Sequence, residues 1–369
     1  MKHLILLVNV VFLFSCNPSA QKQQATVQDT ISTKRITLLF AGDLMQHKEQ
    51  IAAAETSDGY DYRDCFSQVK EEIGKADLAI ANLELTLGGK PYGGYPGFSA
   101  PDEYMYAIRD AGFDVMLTAN NHALDTGKKG LERTVRLLDS LRVYHLGTYL
   151  DSAKREAEYP LIIQKNGFRI ALLNCTYATN GLKVTPPNIV NYIDREEIAR
   201  DIRKAAAQKP DVIIACMHWG TEYESIPDKD QIEMADWLLA QGVDHVIGNH
   251  PHVVQPIELR HNENTGKKHA VVYSLGNFIS NMSARNTDGG IIFKMELSKD
   301  TTVRVEKCAY SLVWTFRPKH SGEKNHKIIP AANPRDELSP MIVNRLNIFV
   351  KGARTLFGTR NQEIEEYIF

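Results

Sequence analysis

Carboxylate, amide and imidazole side chains recur in this chain directly after short apolar runs. The run 36–40 leads into Ala41-Gly42-Asp43, and 77–81 leads into Asn82-Leu83-Glu84. The run 114–117 precedes Asn120-Asn121-His122, and 212–216 precedes His218-Trp219-Gly220. The run 244–247 precedes Gly248-Asn249-His250-Pro251-His252. Together these side chains form a ligand set for a borderline divalent cation, and such a cation supports hydrolysis. Each motif alone has a plain reading. An Asp after a strand is often a helix cap, and a His ending an apolar run is more often a satisfied core group than a ligand. Two amides and an imidazole at 120–122 place polar groups where burial without partners is costly. In an extended segment His250 and His252 would point the same way, with Pro251 stiffening the link. The coincidence of five such strand ends makes the metal reading the stronger one.

Residues so far apart in sequence meet only if the apolar runs are neighbouring strands. In open α/β sheets ligands gather at the carboxyl ends of strands. Strands are expected at 35–40, 77–83, 114–118, 161–165, 169–175, 212–217 and 245–247. Asn166-Gly167 reads as a hairpin turn. Helical spacing is expected at 60–75, 102–111, 128–141, 194–208 and 229–241. The later stretches 256–260, 269–274, 290–297 and 303–312 look like successive antiparallel strands. Early βαβ units and later antiparallel pairing are reconciled by two sheets packed face to face with helices outside.

The chain has 369 residues, 43% hydrophobic and 24% charged, with net charge −2. No broad basic surface points to nucleic acid. Residues 1–16 carry a short apolar stretch ending in Leu13-Phe14-Ser15-Cys16. It is too short for a permanent membrane span, fits a secretory signal, and resembles a bacterial lipobox. The expectation is a lipid anchor at Cys16 and a protein of the cell envelope. Residues 17–34 read as a flexible tether. Residues 35–315 read as one domain, and 316–369 as a tail with a helix at 340–357. Of the remaining cysteines, Cys65, Cys175, Cys216 and Cys308, an exported protein could pair some. Cys175 and Cys216 lie in apolar runs and are expected as buried thiols. His47, His145, His261, His269, His320 and His326 read as surface or packing residues, with His47 retained as a neighbour of Asp43.

With these motifs in place, the chain resembles the bacterial capsule-synthesis (CapA, poly-γ-glutamate synthesis) family, a branch of the calcineurin-like metallophosphoesterases. Phe98-Ser99-Ala100-Pro101, Ala111-Gly112-Phe113-Asp114, Ala123-Leu124-Asp125 and Ser274-Leu275-Gly276-Asn277-Phe278 extend the match over roughly 35–285. The resemblance implies an α/β fold, a four-layer α/β/β/α sandwich. It implies a centre of one or two divalent ions (Mn, Zn or Fe). Asp43 and His252 would serve one ion, Asn121, His218 and His250 the other, and Glu84 would bridge. His122 would stand beside the substrate, oriented by Asp125. The wider superfamily has Asp-x-His at the first site, whereas here Leu44 and Met45 follow Asp43. The implied function is hydrolysis of a phosphoester or of a polyglutamate or envelope amide bond. The alternative is a non-catalytic tethered factor that binds an anionic polymer during capsule assembly. The substrate or partner is then an anionic polymer or a phosphorylated small molecule.

Overall fold

The computed structural model describes residues 33–318, 325–332, 334, 338–358, 360, 361 and 363–369. The Cys16 anchor, nearly all of the 17–34 tether, and His320 lie outside them.

Two sheets dominate. The main path of a nine-stranded sheet runs Lys327–Pro330, Val303–Phe316, Gly289–Lys299, Lys34–Leu44, Leu78–Leu83, Val115–Leu117, Tyr144–Leu146. A six-stranded sheet runs Ile257–His261, Lys268–Val272, His245–Asn249, Val212–His218, Phe168–Thr176, Leu161–Lys165. The four strands from Lys34–Leu44 to Tyr144–Leu146 are parallel, and so are the three centred on Val212–His218.

Side-chain alternation accounts for the layering. On the Lys34–Leu44 strand, Ile36, Leu38 and Phe40 join a core with Ile170, Leu172, Ile214 and Val246 of the other sheet. Leu39 and Ala41 turn the other way, toward Phe66, Ile73, Tyr104 and Ile108. Helices Arg195–Ala207 and Lys229–Ala240 cover the second sheet with Ile198, Ile202, Ala235 and Leu238. Strands buried on both faces read as continuous apolar runs, and Val212–Met217 is buried throughout. The result is the α/β/β/α sandwich. Asn166 and Gly167 adopt φ of 50° and 78°, the left-handed values of a tight hairpin.

One helical expectation is corrected locally. The helical spacing at 60–75 resolves into a short strand Gly59–Tyr60, a 3-10 turn Arg63–Phe66 and a helix Lys70–Gly74. The Ser67 hydroxyl donates to the Asp64 carbonyl at 2.9 Å and competes with a continuing helix. Residues beyond 315 carry strand Lys327–Pro330, paired with Val303–Phe316, and helix Pro340–Gly358. Ile342, Leu346, Phe349, Ala353 and Phe357 of that helix enter the main core. Cys65, Cys175, Cys216 and Cys308 are free and buried. Among the described residues no helix is long and apolar enough to cross a membrane.

Candidate metal centre

Strand register brings the chemistry together. Asp43 pairs with Asn82 and Asn82 with Leu117 in one sheet, while His218 pairs with Asn249 in the other. All five strand ends therefore open on one edge. The close approach of the segment entering Asn277–Ile279, a strand that pairs with Lys34–Leu44, needs glycine: a Cβ on Gly42 would stand 1.9 Å from the Gly276 carbonyl oxygen. That oxygen accepts the Asp43 N–H at 3.0 Å.

Asp43, Glu84, Asn121, His218, His250 and His252 all converge, each at most 2% exposed. Asn82 Nδ2 donates to Asp43 Oδ1 at 2.7 Å and lies 3.3 Å from His218 Nδ1. His218 Nε2 is 2.7 Å from Asn121 Oδ1 and 3.6 Å from Glu84 Oε1. His252 Nδ1 sits 3.0 Å from Asn277 Oδ1 and 3.2 Å from Asp43 Oδ2. Asn277 is oriented by donating from Nδ2 to the Thr287 carbonyl at 2.8 Å. Both neighbours of His252 Nδ1 are thus acceptors, which assigns the proton there. Its Nε2 carries the lone pair and faces Glu84 Oε1 at 3.8 Å and Glu222 Oε1 at 4.0 Å.

The His250-Pro251-His252 segment is not extended as expected. His250 has φ of 104° and His252 of 60°. The imidazoles converge because two non-glycine residues take the left-handed region, a strain of about 1–3 kcal/mol each that persists where surroundings impose it. Tyr177 packs its ring 4.5 Å from His250, and the His218 and His250 rings are 4.8 Å apart.

The electrostatics are those of an unneutralised acceptor cluster. Glu84 is held well above the usual carboxyl range, first by burial and then by the charge of Asp43. Burial pushes His218 well below its ordinary value, and His250 down to about 3, with neighbouring imidazoles adding to both. Burial also acts to lower His252, but its bond to Asp43 and the charges of Asp43 and Glu222 outweigh that and raise it.

Among the described residues, both Glu84 oxygens and His250 Nδ1 are buried without a hydrogen-bond partner, and Asp43 Oδ2 has only the His252 Nδ1 contact. Buried polar atoms are normally satisfied. Buried carboxylate and imidazole atoms without partners, gathered at one point, suit a cation. Among the described residues two groups could hold one: Glu84, His250 and His252, and Asp43, Glu84 and His218, each with donor atoms within 4.8 Å of one another. Glu84 belongs to both. The donors also stand close in the pairs that the resemblance implies, with His252 Nδ1 3.2 Å from Asp43 Oδ2, His218 Nε2 2.7 Å from Asn121 Oδ1, and the His218 and His250 rings 4.8 Å apart.

Beside the centre lies a cleft of about 520 Å³, lined in part by His47, Tyr95, His122, Asp125, Glu222 and Tyr223. His122 Nδ1 is 2.7 Å from Asp125 Oδ2, which also accepts the Phe98 N–H at 2.7 Å. Glu222 and Asn277 were not singled out as site residues in sequence. Glu222 follows His218 by four residues in a loop, where composition carries no signal. Asn277 stood in a quoted motif without a role. His47 does reach the cleft wall, four residues beyond Asp43.

Similarity to known proteins agrees with this architecture. The chain is 25% identical over 320 residues to PGA biosynthesis protein CapA of Bacillus subtilis (strain 168), covering 83% of this chain and 79% of that protein. It is 26% identical over 288 residues to capsule biosynthesis protein CapA of Bacillus anthracis, covering 73% and 66%. Among solved structures, the Haemophilus influenzae NAD nucleotidase aligns with a TM-score of 0.50 at 15% identity. That alignment covers 91% of this chain but 64% of the nucleotidase, and it is a likeness of fold. A family model described as bacterial capsule synthesis protein PGA_cap matches residues 37–282. The match takes in the site residues from Asp43 to His252, and the chain belongs to the bacterial capsule synthesis protein PGA_cap family.

Proposed function

We propose that this chain is a divalent-metal-dependent hydrolase of the cell envelope, acting on a phosphoester or on an amide bond of a polyglutamate or envelope polymer. The observation that carries the proposal is Glu84, a buried carboxylate with both oxygens unpartnered, shared by two candidate ligand groups. The His122–Asp125 pair stands on the wall of the adjoining cleft.

Asp43, Glu84, Asn121, His218, His250 and His252 would hold one or two ions of Mn, Zn or Fe type. A bound ion supplies Lewis acidity, polarising the scissile group and making water more acidic. The chain's own residues do the rest. Asp125 accepts from His122 Nδ1, so His122 Nε2 is the atom that exchanges a proton with the leaving group. Asn82 holds Asp43 and His218 together, and Asn277 holds His252. Burial keeps His250 in the neutral form that can ligate.

The relatives' names support an anionic capsule polymer as substrate or partner and a place at the envelope. A lipid anchor at Cys16 belongs to the same reading, and mass spectrometry of the mature N-terminus tests it. The central test assays a chromogenic phosphodiester and poly-γ-glutamate with added Mn²⁺ or Zn²⁺. Wild type should turn over at least one. His250→Ala and Asn121→Ala should lose turnover while unfolding cooperatively. Polymer binding without cleavage would overturn the hydrolase in favour of an accessory, polymer-holding role.

A further inference from the structure

The geometry points to Glu222 as a metal ligand of this centre, closing the site on its solvent side where the superfamily pattern would place an imidazole. This inference rests on the reading of the centre as a cation site. Position 45, where Asp-x-His would supply that imidazole, is Met45, a side chain on the cleft wall. Glu84, His250 and His252 offer three donors, and an ion held by them needs at least one more.

Glu222 is placed to give it. Its Oε1 lies 4.0 Å from His252 Nε2, the nitrogen with the lone pair, and Glu84 Oε1 lies 3.8 Å from the same atom. The side chain is 41% exposed, at the boundary between the buried donors and the cleft. Its loop is tied to the segment bearing the two histidines. Tyr223 N–H donates to the Pro251 carbonyl at 2.8 Å, and Trp219 N–H to the Asn249 carbonyl at 3.1 Å. Gln255 Nε2 donates to the Glu224 carbonyl at 2.8 Å. Tyr223 takes φ of 68°, and Gly220 takes 87° where a Cβ would meet the Gln231 side chain at 2.5 Å. The backbone on either side of Glu222 is therefore fixed to the segment that carries His250 and His252, which is the preorganisation a ligand needs.

His47 is the competing substitute, and its bonds disfavour it. Its Nδ1 accepts the Asn281 N–H at 3.3 Å, which places the ring proton on Nε2 and leaves no lone pair there, and its ring packs edge-on to Phe98. Charge favours Glu222 as well. Two divalent ions against Asp43 and Glu84 alone leave two positive charges in a nearly buried site. A third carboxylate halves that excess.

The test is Co²⁺ titration of the metal-stripped full chain, followed by visible absorption, for wild type, Glu222→Gln and Glu224→Gln. Glu222→Gln should bind Co²⁺ at one site roughly 100-fold more weakly, since even partners behind the ligands are worth about 10–100-fold. Its d–d spectrum should change, while the melting temperature of the metal-free protein stays at the wild-type value. Glu224→Gln, which removes the same charge from an exposed neighbour in the loop, should titrate like wild type. An isotherm and spectrum for Glu222→Gln identical to wild type would overturn the assignment, as would equal weakening in Glu224→Gln. Absence of Co²⁺ binding by wild type would instead overturn the cation reading itself, and this inference with it.

Discussion

Asp125 Oδ2 meets His122 Nδ1 at 2.7 Å while accepting the Phe98 amide at the same distance. One carboxylate oxygen thus fixes both the imidazole and the chain that lines the cleft beside it. Phe98 also packs against the His122 ring, 4.6 Å between centroids. The imidazole is held on its Nδ1 side and on one ring face, and Nε2 is left for chemistry.

If His122 moves a proton to the leaving group, His122→Gln should lower kcat by about 10²–10⁴-fold, the usual worth of general acid catalysis. Metal content should be unchanged, because His122 is in neither candidate ligand group. Asp125→Asn should lower kcat less and shift the pH profile of turnover. Loss of metal in His122→Gln, measured by elemental analysis, would contradict this division of labour.

His245 predicts how stability depends on pH. It is buried far from the cleft edge, its Nδ1 accepting the Ala270 N–H at 3.0 Å. Burial lowers it from 6.5 to about 4, against a smaller opposing pull from Asp244. The unfolded chain therefore takes up a proton below pH 6.5 that the folded chain refuses until about pH 4. Its contribution is intact above 6.5 and is lost as pH falls toward 4, by up to about 3 kcal/mol. Denaturant unfolding of His245→Gln at pH 5 and pH 7 should show a shallower acid decline than wild type. Equal declines would remove His245 from the account.

Much of this was legible in the sequence because strands buried on both faces announce themselves as apolar runs, and their polar ends stand out. Asp43, Glu84, Asn121, His218 and His250 were found that way. The reason His250 and His252 meet was not legible. Strand alternation predicted it, but the chain uses two left-handed backbones, a conformation that tertiary contacts impose. Glu222 was hidden for a related reason. Its position comes from the Tyr223–Pro251 hydrogen bond between segments far apart in sequence. The 60–75 stretch had helical spacing, yet the Ser67 side chain and the strand Gly59–Tyr60 broke it into pieces.

The tail helix offers a separate test. Phe349 is 1% exposed and shares the main core. Phe349→Ala should cost about 3–5 kcal/mol in denaturant unfolding, the usual penalty for emptying a buried aromatic site. A change below about 1 kcal/mol, the range of surface substitutions, would show that Pro340–Gly358 adds little to the core.

Glu84 should show a conflict between function and stability. In metal-free protein its two unpartnered oxygens and the nearby Asp43 charge are a cost. Glu84→Gln removes the charge and adds donors, so chelator-treated Glu84→Gln should be more stable than chelator-treated wild type by about 1–3 kcal/mol. A less stable variant would mean that Glu84 is satisfied without a cation.

The central claim is that scattered donors from both sheets hold a divalent cation. Elemental analysis of purified protein, comparing wild type with the His250→Ala, His252→Ala double variant, addresses it directly. The account predicts one or two bound divalent ions per wild-type chain and loss of at least one in the double variant. Wild-type protein without bound metal after incubation with Mn²⁺, Zn²⁺ or Fe²⁺, or a double variant with the same metal content, would contradict it.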